Sequence, residues 1–328
     1  MINKTDNSQR INWIDSLRGF AILLVIVGHL IQFNFKSGIE NDIFNIIYSF
    51  HMPLFFFISG VCVSFSQNIL SCSDIWQYSM KKFCQLIIPS ITWTLITPLF
   101  FSHNAIENIN LENISSFWFL NILFATYIVW GAYTYLCSKF KKKNIIIASA
   151  IILWIILFAI NFKRISLMYL ALFAFGYFFQ TTKMPIFKNK YLLSSLALIF
   201  LLLCGKFEYG TTVIQEANRV WLEFPLSIIA SILLAEVFKY IRKGKIYSLL
   251  NYIGKYTLGI YLCHFIFIHI NGLHYIETIA GKPLQVILLL ATSAIISIFC
   301  IGIQKIIEPF TLLYKCMYGK WNIILKAK

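Results

Sequence analysis

Apolar segments about as long as a membrane span recur along the whole chain. Ten of them can be marked, at residues 13–33, 43–66, 84–101, 117–137, 145–160, 166–180, 191–205, 219–238, 256–274 and 284–307. A helix needs ~20 apolar residues to cross a bilayer. Only 12% of the residues are charged, whereas a soluble domain carries about 25%. The pattern predicts an all-α polytopic membrane helix bundle with about ten transmembrane helices.

No second folded unit is visible in the sequence. We predict one transmembrane domain over residues 1–312 and a short basic juxtamembrane tail on the cytoplasmic side over residues 313–328. We expect no cleavable signal peptide, because the first apolar segment is longer than a signal-peptide core. The fifth, sixth and seventh segments are short, which is also compatible with tilted, interfacial or merged helices.

The net charge of +15 is distributed in a way that indicates topology. With the N-terminus inside, 20 of the 28 Lys and Arg residues fall in cytoplasmic segments. Six fall in outer loops: Lys36, Lys163, Arg164, Lys206, Arg219 and Lys282. This positive-inside bias predicts an even number of spans in a plasma or inner membrane, with both termini cytoplasmic. It argues against a nucleic-acid partner. Acids in the outer loops, such as Glu40, Asp42 and Glu208, are typical of solvated loop ends.

The first apolar segment carries ionisable residues on one face. Asp15, Arg18 and His29 follow helical spacing, and Asp15 lies one turn from Arg18, where it can pair with it. Arg18 and His29 are eleven residues apart, roughly 16 Å along the helix axis. Ionisable groups inside a membrane are costly and nearly always face the bundle interior or a cavity. The stripe therefore predicts a buried polar path.

Two further histidines lie in apolar segments. His51, in FHMPLFFFISG, is predicted to reach a depth similar to that of His29, and Pro53 is predicted to interrupt the helix beside it. His264, in GKYTLGIYLCH, is compatible with either packing or cavity lining. No cysteine spacing suggests a metal centre.

Together these segments resemble the acyltransferase 3 family of integral-membrane acyltransferases, most closely its branch of fucose 4-O-acetylases and related sugar acetyltransferases. The resemblance is carried, in order, by IDSLRGFAILLVIVGH, FHMPLFFFISG, KKFCQLIIP, WFLNILFATYI, GKYTLGIYLCH and the tripeptide EPF. It covers nearly the whole chain. An Arg followed eleven residues later by His is its most specific feature.

The resemblance implies transfer of an acetyl group from cytoplasmic acetyl-CoA to a sugar hydroxyl of a surface polysaccharide or its lipid-linked precursor, without a metal. It makes His29 the catalytic histidine and Arg18 its partner near the donor. Lys82, with Lys81 beside it, is the expected contact to the CoA phosphates, although Gln85 replaces the family's second basic residue. The shared depth adds His51 as a third catalytic candidate.

The alternative is a polytopic secondary transporter of a small polar or sugar-like solute. Many spans with buried polar residues and helix breaks also fit that class. Transporters often contain internal repeats, however, and none is visible in this sequence. A purely structural membrane scaffold would leave Arg18, His29 and His51 without a role.

Overall fold

A computed structural model describes residues 11–65, 71–97, 100, 117–139, 164–182, 189–210, 213–279 and 281–321. These ranges are helical and contain no strand, which confirms the predicted all-α bundle. The α-helices are α1 (Asn12–Asn34), α2 (Asp42–Tyr48), α3 (His51–Val63), α4 (Cys72–Lys82), α5 (Ile88–Ile96), α6 (Trp118–Lys139), α7 (Arg164–Thr182), α8 (Lys190–Cys204), α9 (Val213–Tyr240), α10 (Lys245–Gly254), α11 (Thr257–Cys263), α12 (Tyr275–Ile279), α13 (Lys282–Ile307) and α14 (Thr311–Tyr318).

Five stretches in the described ranges are long and apolar enough to cross a membrane: Asn12–Asn34, Asp42–Val63, Trp118–Lys139, Arg219–Tyr240 and Lys282–Ile307. Three more apolar helices are shorter. The predicted third span is a π-helical segment (Phe83–Ile87) followed by α5. The predicted fifth span, residues 145–160, lies outside the described residues. The chain is thus a multi-pass membrane protein, and the count of ten spans remains a prediction.

Helix α1 is the central helix of the bundle. In its most apolar stretch 83% of the residues are buried inside the protein, against 33% for α13. It packs against α2, α3, α9, α10, α11 and α13. Because protein and not lipid surrounds α1, polar side chains on it can meet other polar groups.

Two close helix crossings depend on glycine. A methyl group added at Gly60 of α3 would overlap the carbonyl oxygen of Phe173 in α7, and one added at Gly176 would overlap the carbonyl oxygen of Phe57. Helices α1 and α10 meet in the same way, through Gly19 and Gly254. Small residues at such crossings let membrane helices approach backbone to backbone, and here they fix α3 against α7 and α1 against α10.

The second predicted span is interrupted between α2 and α3. The interruption lies at Ser49 and Phe50, ahead of Pro53, which occupies the first turn of α3. A proline is tolerated there because the N–H it lacks would have no partner within the helix. The carbonyl of Ser49 accepts a hydrogen bond from the buried hydroxyl of Ser227 in α9 at 3.0 Å. The break is therefore stabilised by a neighbouring helix.

The loops at the C-terminal end of α1 are held by a carboxylate. Glu277 in α12 accepts hydrogen bonds from the backbone N–H groups of Lys36 and Ser37, at 2.7 and 3.0 Å. Partial burial acts to raise the pKa of Glu277, but hydrogen bonds from Ser37 and Lys36 outweigh it and leave the pKa below its ordinary value. This carboxylate joins the loop after α1 to the segment before α13.

Candidate active site

Arg18 is held by contacts to two helices. Its Nη1 donates to Oδ1 of Asp15 at 3.4 Å, and its Nη2 donates to Sγ of Cys62 in α3 at 2.9 Å. The Arg18 side chain is 34% exposed, whereas that of Asp15 is 8% exposed. The pairing predicted between Asp15 and Arg18 is present, but the bond is long. The Arg18 side chain therefore keeps an accessible part, and Asp15 offsets its positive charge only weakly.

Lys82 brings a second positive charge to this end of the bundle. Its Nζ lies 3.9 Å from the ring centre of Tyr127 in α6 and 5.7 Å from that of Tyr78, which is a cation–π arrangement. Lys82 also lies close enough to Arg18 to interact with it electrostatically. It is the last residue of α4, and the π-helical segment begins at the next residue. Such segments are frequent at functional sites.

We call Arg18, Lys82, Asp15, Cys62 and Tyr127 the cationic cluster. Two cations face a single carboxylate, so the cluster keeps a net positive charge. Arginine and lysine together suit a phosphate-bearing ligand, because arginine forms paired hydrogen bonds and lysine acts as a point charge. Lys81 is half-buried and lies about 100° around α4 from Lys82, so the two lysines leave the helix in different directions.

His29 lies near the other end of α1 and is half-buried. Its Nδ1 is 3.2 Å from Oε1 of Gln32, and the hydroxyl of Tyr48 donates to the same oxygen at 3.2 Å. Because an amide oxygen only accepts, Nδ1 carries the hydrogen in this arrangement and Nε2 keeps its lone pair. His29 therefore presents Nε2 as a base.

His51, the first residue of α3, contacts the interrupted helix. Its Nδ1 is 2.9 Å from the carbonyl oxygen of Ile47, so that nitrogen carries a hydrogen and Nε2 keeps a lone pair. Its ring lies 4.5 Å from the ring of Tyr48. Tyr48 and Gln32 thus connect His51 to His29.

His264 lies beside His29. The centres of the two rings are 5.4 Å apart. Nδ1 of His264 donates to the carbonyl oxygens of Ile260 and Tyr261, at 3.1 and 2.7 Å. Its Nε2 is buried without a hydrogen-bond partner among the described residues. His264 is fully buried and packs against His29, and a cavity-lining role for it stays a prediction.

We call His29, His51, His264, Gln32 and Tyr48 the histidine cluster. Within the part of the chain that the structure describes, no group of three or more His, Cys, Asp or Glu side chains is placed to hold a metal ion. The arrangement supports acid–base chemistry at neutral imidazoles. Gln32 and Tyr48 were not singled out from the sequence, although each lies three residues from a candidate histidine.

The cationic cluster and the histidine cluster lie near opposite ends of α1. Arg18 and His29 are separated by roughly 16 Å along α1, and both clusters lie against protein rather than lipid. Together the fold and these clusters define a multi-pass membrane protein with an internal polar site, as found in membrane enzymes and transporters.

The comparison with known families identifies the family of this chain. The chain belongs to the acyltransferase 3 family: the family model, described as an acyltransferase domain, matches residues 11–302. The matched region contains both clusters. The predicted family is therefore confirmed.

Two curated relatives are similar over part of their length. The nodulation protein NolL of Mesorhizobium japonicum is 28% identical over 251 residues, which cover 66% of this chain and 64% of the relative. NolL of Sinorhizobium fredii is 27% identical over 183 residues, covering 51% of this chain and 48% of the relative. The chain thus spans less than two thirds of either relative. No solved structure gives a significant match.

Proposed function

We propose that this protein is a membrane O-acetyltransferase. In this proposal it moves an acetyl group from cytoplasmic acetyl-CoA to a sugar hydroxyl of a surface polysaccharide or its lipid-linked precursor. The observation that supports it most is the placement of a net positive cluster and an anchored neutral histidine along the same central helix. One end suits an anionic donor, and the other supplies a base.

The donor is proposed to enter at the cationic cluster. Arg18 and Lys82 would bind phosphate groups of acetyl-CoA, and the thioester at the far end of this long molecule would reach toward the histidine cluster. The cationic cluster lies at the end of α1 that the charge distribution predicts to be cytoplasmic, and acetyl-CoA is available on that side. A secondary transporter would not need this pairing of sites.

The acetyl transfer itself requires one base and one activated carbonyl. Nε2 of His29 accepts the proton of the sugar hydroxyl, and the oxygen attacks the thioester carbonyl carbon. The C–S bond then breaks, the acetyl ester forms, and the sulfur leaves as a thiolate that takes up the proton to give CoA. His51 and His264 are proposed to stabilise and orient this centre. Direct transfer and an acetyl-histidine intermediate would use the same nitrogen.

A labelled-acetyl assay tests this function. Membranes containing the protein are incubated with acetyl-labelled acetyl-CoA, and the glycan fraction is analysed for new acetyl esters. We expect His29→Ala to abolish labelling and His51→Ala to reduce it, with membrane insertion unchanged. His274→Ala is the matched control, since His274 packs on Tyr275 outside both clusters. Near-normal labelling by correctly inserted His29→Ala protein would exclude His29 as the base.

A further inference from the structure

A cavity of about 1200 Å³ lies at the His29 end of the bundle. Its walls come from the loop after α1, the start of α2, the segment after α8, helix α9 and the start of α13. All these segments begin or end in regions that the charge distribution predicts to be outside. The cavity is larger than the ~300–1,000 Å³ of typical small-ligand pockets, so it has room for more than one sugar ring.

Arg219 is a buried polar residue in the wall of this cavity, and a neighbouring carboxylate holds it in place. The helix that contains it begins at Val213, so Arg219 lies inside α9 and not in the outer loop where the sequence placed it. Its side chain is 8% exposed and lines the cavity. Its Nε donates to Oε2 of Glu223 at 3.2 Å, and the side chain of Glu223 is 4% exposed.

The Nη1 group of Arg219 is buried and forms no hydrogen bond with the described residues. The guanidinium stacks on the ring of Tyr209, with 4.6 Å from Cζ to the ring centre. A buried donor without an acceptor is unfavourable. Nη1 is itself covered, so a ligand oxygen in the cavity would pair with it after a small movement of the Arg219 side chain.

The cavity wall is connected to the histidine cluster. The ring of Tyr209, which lines the cavity, lies 5.0 Å from the ring of Tyr48. The hydroxyl of Tyr48 donates to Gln32, which also contacts His29. The backbone N–H of Tyr209 donates to Oδ1 of Asn45 in α2 at 2.8 Å. Two side chains therefore separate the cavity wall from the proposed base.

The charges in the wall nearly cancel. Lys282 pairs with Asp42, and Arg219 pairs with Glu223. The remaining charged groups are exposed: Glu40, Glu208 and Lys206. Such a wall presents both donors and acceptors without a strong net charge. It suits a neutral molecule with many hydroxyl groups better than an anion or a cation.

We propose that this cavity is the acceptor site, in which Arg219, Glu40 and Glu208 bind a neutral, polyhydroxylated sugar unit next to the histidine cluster. The inference rests on the proposed acetyltransferase function. It adds the location of the acceptor, the face of the membrane from which it arrives and the residues that select it.

The test separates acceptor binding from donor binding. Membranes are supplied with labelled acetyl-CoA and, as the acceptor probe, surface polysaccharide extracted from the organism that carries this gene. Apparent KM values are measured for both substrates, together with CoA release without polysaccharide. For Arg219→Lys we expect the KM for polysaccharide to rise about tenfold or more, because the planar donor fork is lost. The KM for acetyl-CoA should stay within about twofold of the wild-type value, because the donor binds elsewhere.

A second variant is needed if the Arg219→Lys protein fails to fold and is absent from the membrane. The double change Glu40→Gln and Glu208→Gln alters two exposed side chains, so folding is not at risk, and it should also raise the polysaccharide KM. Lys36→Gln, an exposed charge change beside the cavity but not in its wall, should leave both KM values unchanged.

The two proposals fail in different ways. An unchanged polysaccharide KM in the double variant, with normal transfer by wild-type protein, would overturn the acceptor site alone. Absence of label in the polysaccharide with wild-type protein would overturn the acetyltransferase function and the acceptor site together.

Discussion

Replacing Gln32 with methionine should slow acetyl transfer without preventing assembly of the bundle. The change keeps the side-chain length and removes the oxygen that accepts from Nδ1 of His29 and from the hydroxyl of Tyr48, both at 3.2 Å. The unpaired Nδ1 donor of His29 costs about 1–3 kcal/mol, which corresponds to about 5- to 150-fold in kcat. Because His29 is only half-buried, water can replace part of the lost bond. We therefore expect the lower half of that range.

Tyr48→Phe removes only the second donor to the same oxygen. A net hydrogen bond is worth about 0.5–1.5 kcal/mol, so kcat should fall about 2- to 12-fold. Because both bonds end on Oε1 of Gln32, the Gln32→Met, Tyr48→Phe double variant should resemble Gln32→Met alone. The measurement is kcat for acetyl transfer at saturating acetyl-CoA, with protein amounts normalised.

Tyr314→Phe is a matched control for Tyr48→Phe. Tyr314 also shares a 3.2 Å hydrogen bond with a glutamine, Gln304, but outside the histidine cluster. Loss of the Tyr314 hydroxyl should leave kcat unchanged. The reasoning is refuted if Gln32→Met retains wild-type kcat, or if the double variant shows the full product of the two single effects.

Two further predictions concern the cationic cluster and the hydrogen bonds of Glu277 to Lys36 and Ser37. Arg18→Ala should raise the apparent KM for acetyl-CoA strongly. Arg18→Lys should raise it less, since lysine keeps the charge but not the planar fork. Normal acetyl-CoA binding by an Asp15→Asn, Arg18→Gln double variant would show that Arg18 has only a structural role. Glu277→Gln should lower the melting temperature of detergent-solubilised protein at pH 7. The pKa of Glu277 is depressed by folding from about 4.5, so its contribution is complete above that pH and is lost as the pH falls through the folded value. If wild-type protein and the Glu277→Gln variant still differed by the same melting temperature in strong acid, the ionised carboxylate would not be the source of the difference.

The sequence was most informative where the pattern is local. The stripe of Asp15, Arg18 and His29 follows from helical spacing alone. The predicted span is observed as one uninterrupted helix, α1. The pair of Asp15 with Arg18 also follows, since side chains three residues apart on a helix are neighbours.

The remaining site contacts depend on packing between distant segments. Cys62 reads as a small apolar residue in the sequence, yet it accepts from Arg18 across 44 positions. Arg219 was assigned to an outer loop because the apolar run begins there, whereas α9 starts six residues earlier. The arginine–glutamate spacing of four residues at the start of an apolar span was the available signal. Glu40 and Glu208, predicted as solvated loop ends, line one cavity because the loops meet there.

The glycine crossings have a consequence for how this chain can diverge. At each crossing both helices present backbone to each other, so no single substitution on the facing helix could make room for a side chain at Gly60, Gly176, Gly19 or Gly254. The walls of the cavity, by contrast, come from loops and helix ends whose exposed side chains can be exchanged independently. Related proteins that act on other acceptors should therefore keep these four glycines and vary freely at positions such as Glu40 and Glu208, so that acceptor choice can drift while the distance between α1 and α10 stays fixed.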